Sequence, residues 1–431
     1  MRNLTSAAKN LWANHRIATL AVAGVAIVAI AGVAGYLALK RPADVSNEDA
    51  TFDVADQGKE VLGQANWPFY GMNQERTRYL AAEGLKPPFK VAWRINARKL
   101  LEYSPVLFAG SIYTINNNGE ALSAKTRNGK IRWRHEFATR NASSPAYSDG
   151  MIYLANLEPG QVLGLNAKNG FPRWKRQLPG RTESSPVVVG KKVIVGCECG
   201  TLFAFDKRSG KTLWEVDLPG EIKAAPTISE GVAYVGDYSG TMSAVRVSNG
   251  SIVWQSGSQG SSFGRAGSIY STAAVAFGRV YVGSKDGRMY SFEKDTGDLA
   301  WSQTAGGEIY AGVVAADTPG TDPTVYFGSF GDGRFYALDA RSGEERWSID
   351  AGGSVIGAAS LIGETVYFAN LDNTETKAVN ASNGAQVWSF RDGAYNPIIS
   401  DGKRLYLTGY KFIYSLKPGT KRKKPKKAKQ Q

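Results

Sequence analysis

Seven times in this chain a tryptophan stands four residues after a glycine, and the offset never changes. The glycines are Gly129, Gly170, Gly210, Gly250, Gly297, Gly343 and Gly384, and the tryptophans are Trp133, Trp174, Trp214, Trp254, Trp301, Trp347 and Trp388. Asn, Ser or Thr precedes each glycine, which is the chemistry of a tight hairpin turn where glycine takes the positive φ that side chains resist. Three short apolar strands lie upstream of each turn strand, as in "SPVVVG", "KKVIVG" and "TLFAFD" before "KTLWEV", so each repeat reads as four antiparallel strands. With Trp93 counted first, successive tryptophans are 40, 41, 40, 40, 47, 46 and 41 residues apart, the period of a four-stranded propeller blade. Eight tryptophans imply eight blades.

The two ends of the array bear on whether the ring closes. Trp93, in "KVAWRIN", has no turn glycine before it, and the last repeat, "NPIISDGKRLYLTGYKFIYSLKPG", supplies three strands and stops. Residues 90–96 are therefore expected to complete the eighth blade beside the C-terminal strands, leaving no open repeat end. Where each inner strand begins the chain places Ser104, Ser144, Ser185, Ala225, Thr272, Ala311, Ala358 and Asn396, all small, as convergence on an axis requires. The tryptophans, Trp93 included, are expected on the outermost strands as structural wedges that fill the widening space between blades. The fold class is all-β, an eight-bladed propeller over 67–416.

The repeat, in stretches such as "LFAFDKRSGKTLW" and "FYALDARSGEERW", resembles the tryptophan-docking repeat of the PQQ-like (quinoprotein-type) eight-bladed β-propellers. "WPFYGMNQERTRYLAAEGL" looks like the segment before the first blade in that family. The resemblance implies either of two functions: a PQQ-dependent alcohol or sugar dehydrogenase, or a non-catalytic scaffold like the BamB-like outer-membrane assembly lipoproteins. For the dehydrogenases it implies PQQ beneath a disulfide of adjacent cysteines, with Ca²⁺ held by a Glu, an Asn and an Asp, and an Asp as base. Here the cysteines are Cys197 and Cys199, separated by Glu198 in "VGCECGTLF". They read as ordinary turn cysteines on a hairpin, with a bridge between them left open. His15 and His135 are the only histidines, too few for a His-based triad or metal cluster. No catalytic, cofactor-binding or metal-binding residue is assigned, and PQQ with Ca²⁺ belongs only to the dehydrogenase alternative.

A binding surface is expected where loops from an outer strand to the next inner strand surround one mouth of the channel. Those loops carry Glu102, Tyr103, Glu183, Lys223, Tyr270, Glu308, Tyr310 and Tyr395, acids and tyrosines suited to a peptide or polar ligand. The longest, "SGSQGSSFGRAGS", presents Phe263 and Arg265 as a candidate partner loop.

The net charge of +14 resides at the ends: residues 1–41 contribute +5 and 417–431 contribute +8, leaving +1 between them. Nucleic-acid binding by the globular part has little support. Residues 17–39 carry no charge and are long enough to span a bilayer as a helix. Arg2, Lys9 and Arg16 favour a cytoplasmic segment 1–16 and an extracytoplasmic propeller, hence a single-pass protein of the cell membrane. Residues 40–66 read as a juxtamembrane linker, and 417–431 as a disordered basic tail able to attract anionic envelope polymers or lipid headgroups. The favoured expectation is a membrane-anchored, non-catalytic scaffold with an envelope or membrane protein partner; an extracytoplasmic sensor module is a further alternative.

Overall fold

Eight four-stranded antiparallel sheets follow one another along the chain. Blade 1 spans 106–136, blade 2 146–177, blade 3 187–217, blade 4 227–257, blade 5 274–304, blade 6 314–350 and blade 7 360–390. Blade 8 joins Ile399–Ser400, Leu405–Thr408 and Phe412–Pro418 to Phe89–Asn96. The closing register runs from Phe89↔Pro418 to Asn96↔Phe412, as the unequal ends of the repeat array require. This is a computed structural model, and it describes Gly32 and residues 42–57, 66–82, 84–260, 267–318 and 320–419. Two units separate, Met1–Ala43 with Gln259–Arg265, and Asp44–Ser258 with Ala266–Gln431; the propeller is the second. The expected membrane helix over 17–39, the Phe263/Arg265 loop and the tail from 420 onward lie outside the described residues, Gly32 aside. Among the described residues no helix is long and apolar enough to cross a membrane.

The apolar core is divided into seams between neighbouring blades. One seam joins Tyr234 and Trp254 of blade 4 to Val275, Val280 and Phe292 of blade 5. Each seam uses the tryptophan the same way. The indole N–H of Trp93, Trp133, Trp174, Trp214, Trp254, Trp301 and Trp347 donates at 2.9–3.0 Å to a carbonyl of the following blade: Thr126, Ala167, Lys207, Val247, Lys294, Ala340 and Ala381 respectively. Each acceptor lies three residues before the turn glycine of that following blade, whose face rests on the same indole. A Cβ built on any of the seven turn glycines would come within 2.5–2.9 Å of its neighbour's aromatic side chains. The repeat therefore fixes Gly and Trp together because the glycine of one blade seats the tryptophan of the blade before it. Trp388 has no such turn ahead of it and meets the Phe89 ring edge-on at 5.4 Å.

Two segments before the first blade are docked. Residues 44–57, expected within a linker, lie along blade 5. Val45–Ser46 adds a fifth strand beside Leu299–Thr304, Asp44 accepts from Arg288 at 2.7 Å, Arg279 donates to the carbonyls of Ala50 and Thr51 at 2.8 and 2.6 Å, and Asp56 pairs with Lys294 at 2.9 Å.

Residues 67–80 are the second segment, and they cap the axial edges of the inner strands. Carbonyls of Trp67, Pro68, Gln74, Glu75, Thr77 and Arg78 accept in turn from the amides of Leu107, Tyr147, Ile228, Val275, Ala315 and Leu361, while the Gln74 amide side chain donates to Val188 O. Seven inner strands thus receive partners from one stretch of chain, which answers the need of buried edge amides for acceptors.

Candidate functional site

Above this capping segment the axis is ringed by the small residues read from the repeat. All eight are buried, and several bond to the next blade, as Ser144 N does to Ser185 Oγ at 2.9 Å and Ala225 N to Thr272 Oγ1 at 3.2 Å. The ring opens into a cavity of about 70 Å³ lined by Glu102, Tyr103, Glu183, Lys223, Tyr270, Tyr310 and Tyr395, with Tyr70 also in its wall. Seven of the eight mouth residues expected from the sequence therefore share one cavity. The eighth, Glu308, accepts the Tyr310 hydroxyl at 2.7 Å.

Tyr103, Tyr270, Glu183 and Lys223 form a polar network. Tyr270 Oη donates to Glu183 Oε2 at 2.7 Å and lies 3.4 Å from the Tyr103 hydroxyl. Lys223 Nζ reaches the other oxygen of Glu183 at 3.1 Å and Glu198 at 3.8 Å. Rings of Tyr238, Tyr270, Tyr310 and Phe330 meet edge to face in succession. The Lys223 and Lys285 ammonium groups sit over the Tyr238 ring, and Lys285 also over Tyr310, a favourable placement of a cation on a π face.

Burial sets the protonation of the site. It lifts the Tyr103 phenol far above its ordinary value, with Tyr270 adding to the effect, and lifts Tyr270 likewise, with Glu183 adding. Tyr238 is pushed up to about 12 by burial and then by Glu183. Glu102 is raised by burial and by the like charge of Glu183. The tyrosines stay protonated donors across physiological pH, so the mouth offers hydroxyls together with acidic and ammonium groups for binding.

Four rim residues escaped the reading of the inter-blade loops: Glu198, Tyr238, Lys285 and Phe330. They share one column of the repeat, two residues past the glycine that closes the second strand in "VGCECG", "VGDYSG", "VGSKDG" and "FGSFGDG". Each backbone amide there bonds a loop carbonyl, those of Arg181, Glu221, Ser268 and Glu308, which brings the hairpins onto the mouth face. The cysteines are a correction to the sequence reading. Cys197 and Cys199 are not independent turn residues but a disulfide across Glu198, because the hairpin brings their Cα atoms to 5.0 Å. Glu198 is held between them facing Arg181 at 2.9 Å. His135 lies on the outer strand of blade 1, with Nε2 3.0 Å from Asn169 O.

Among the described residues no three His, Cys, Asp or Glu side chains come together as a metal-holding group. The cavity has room for a handful of waters, and the bridged cysteines are separated by Glu198 rather than forming the adjacent pair that the resemblance implies for the dehydrogenases.

The fold is that of the eight-bladed propellers. A family model for the outer membrane protein assembly factor BamB matches residues 90–210, 198–308 and 286–413, and the chain belongs to that family. No curated protein matches it in sequence. Among solved structures it is similar to BamB from Moraxella catarrhalis, at 19% identity and a TM-score of 0.63, over 78% of this chain and 100% of that one. It is also similar to the quinohemoprotein alcohol dehydrogenase from Comamonas testosteroni, at 14% identity and a TM-score of 0.69, over 84% and 82%. A computationally designed protein, Ika8, shares the fold at 14% identity, a TM-score of 0.62, and 75% and 98% coverage. At such identities these structures speak for the fold alone.

Proposed function

We propose that this chain is a membrane-anchored, extracytoplasmic and non-catalytic scaffold that holds a protein partner at its channel mouth during assembly of the cell envelope. The observation that carries the reading is the mouth itself: seven polar and aromatic side chains from six inter-blade loops, converging with half-buried tyrosine donors and paired charges. Tyrosines and partly desolvated charges are the residues on which protein interfaces concentrate binding energy. Membership of the BamB family supports the assembly role. The uncharged stretch 17–39 and the basic residues before it support the anchor and its orientation. The lysines of 421–429 add salt-sensitive attraction to anionic polymers or headgroups.

The deciding experiment offers the detergent-solubilised full chain PQQ and Ca²⁺, then measures cofactor retention and dye-coupled oxidation of alcohols and sugars. Neither retention nor turnover is expected; stoichiometric retention with turnover overturns the scaffold reading in favour of a dehydrogenase. Orientation is tested separately with Asp49→Cys, at an exposed position, which an impermeant thiol reagent applied to intact cells is expected to label. Protection until the membrane is breached would reverse the topology.

A further inference from the structure

The segment that caps the axis carries two arginines that pair with no carboxylate among the described residues. Arg76 and Arg78 have no exposed surface. Both are held in the left-handed region, with φ of 53° and 56°, where an L side chain crowds its own backbone. Such geometry persists only where the surroundings impose it, and here it brings both guanidinium groups against the channel wall. Arg76 is largely satisfied: Nε donates to Pro226 O at 2.8 Å, Nη2 to Ser185 O at 3.4 Å, and Nη1 to Tyr70 O.

Arg78 is not. Its Nη1 donates to Arg76 O at 2.8 Å and to Val313 O at 3.3 Å, and its guanidinium lies 4.7 Å from the centre of the Tyr70 ring. Its Nε and Nη2 are buried without a hydrogen bond among the described residues, and the Tyr70 hydroxyl is the nearby polar group that favours its charged form. Nη2 points along Gly312, where a Cβ would come within 2.5 Å of it. The charged neighbour that acts on Arg76 is Arg78, of like sign. Burial and that repulsion lower the Arg76 guanidinium to about 9, which leaves it charged at neutral pH.

Two like charges without a carboxylate, and two buried N–H groups without a hydrogen bond, both among the described residues, are each costly. Water can accept from the N–H groups but does not neutralise the charge. A small anion does both, and it binds a guanidinium through the charge-assisted bonds that the free Nε and Nη2 fork is shaped to make. Tyr70, which packs on Arg78, is also in the wall of the axial cavity, so the arginines lie behind the inner end of the opening described above.

We infer that the inner end of the axial channel is an anion site, in which a halide or a small carboxylate accepts the free Nε and Nη2 of Arg78 beside Tyr70 and Gly312. The site is distinct from the partner surface at the mouth and does not depend on it. Its occupant offsets one of the two positive charges and so ties the capping segment to blades 3, 4 and 6, whose carbonyls the same two side chains already hold.

The test uses the full chain in detergent and chloride as the probe. Excess ³⁵Cl NMR linewidth over buffer is measured for the wild type and for Arg78→Gln; surface and tail lysines broaden the line in both, so the difference reads the site. The wild type is expected to show a saturable excess that Arg78→Gln largely loses. Formate that displaces the chloride would identify a carboxylate site, and formate without effect would identify a halide site. If Arg78→Gln does not fold, the wild type is melted at constant ionic strength with chloride replaced by the bulky sulfonate of HEPES. Chloride or formate is then expected to raise the midpoint by several degrees. Equal linewidths in the two proteins, or a wild-type midpoint indifferent to both anions, would overturn the proposal and leave water as the partner of Arg78.

Discussion

Glu102 stands where burial and a neighbouring carboxylate act in the same direction, both favouring its neutral form. Its folded-state pKa is raised, so the stability it contributes is fully present below the unfolded value and is lost as pH rises through the folded one. Glu102→Gln is therefore expected to melt higher than the wild type at pH 7, with the gain shrinking as pH falls toward about 4.3, the ordinary glutamate value. Thermal midpoints between pH 4 and 8 check this; a constant difference across that range would mean that the glutamate acts through packing and not through charge. Tyr270 offers the opposite case. Its hydroxyl donates to Glu183, and removing a donor to a charged group costs about 1.5–3 kcal/mol. Lys223 on the other oxygen should hold Tyr270→Phe to the lower end. Denaturant unfolding reads the loss, and a neutral result would show that Lys223 alone satisfies the carboxylate.

Between blades, the unit that repeats is a contact and not a residue. Trp301 donates to Ala340 O at 3.0 Å, and Gly343, with φ of 80°, lies on its ring, where a Cβ would approach to 2.7 Å. Gly343→Ala meets two costs at once, about 1–2 kcal/mol for a side chain in the left-handed region and roughly 1–3 kcal/mol for overpacking the indole. Gly150 has nearly the same φ, 77°, but nothing near its Cβ position, so Gly150→Ala should bear only the first. Chemical denaturation of the pair separates the terms, and equal losses would show that the indole seat contributes nothing. This contact also explains what the sequence made legible. Because blades 1–7 each seat the tryptophan before them, Gly and Trp recur at a fixed offset, and the number of blades and the closure by 90–96 could be read from it. The rim column of Glu198, Tyr238, Lys285 and Phe330 was harder to see. Its backbone role repeats while its side chains do not, so no residue type marks it. The capping segment 67–80 left even less trace, since it meets seven inner strands mainly through its own carbonyls, and carbonyls are the same in every residue.

At the scale of the whole ring, the question is whether closure is structural or incidental. Phe412–Pro418 pairs with Leu405–Thr408 on one edge and with Phe89–Asn96 on the other, so one strand joins the two ends of the array. Its Ile413 and Leu416 belong to a buried cluster that also takes in Trp67, Ile95, Leu122, Tyr367 and Tyr406, residues of blades 1, 7 and 8 and of the segments before them. Removing residues 412–431 therefore does three things together: it strips the partner from Phe89–Asn96, opens the edge of Leu405–Thr408, and breaches the apolar seam. An unpaired strand edge beside exposed apolar surface is a template for association with another chain. The shortened protein is expected to lose its cooperative melting transition near the wild-type midpoint and to elute as oligomers from a sizing column. Removing only 420–431 leaves the register that ends at Pro418 untouched, so that protein should melt with the wild type while losing salt-sensitive retention on an anionic matrix. The pair assigns closure and charge to different parts of one C-terminus. If the 412–431 deletion melted like the wild type, seven self-contained blades docked by their tryptophans would suffice, and the shared eighth blade would be a convenience of the chain's ends.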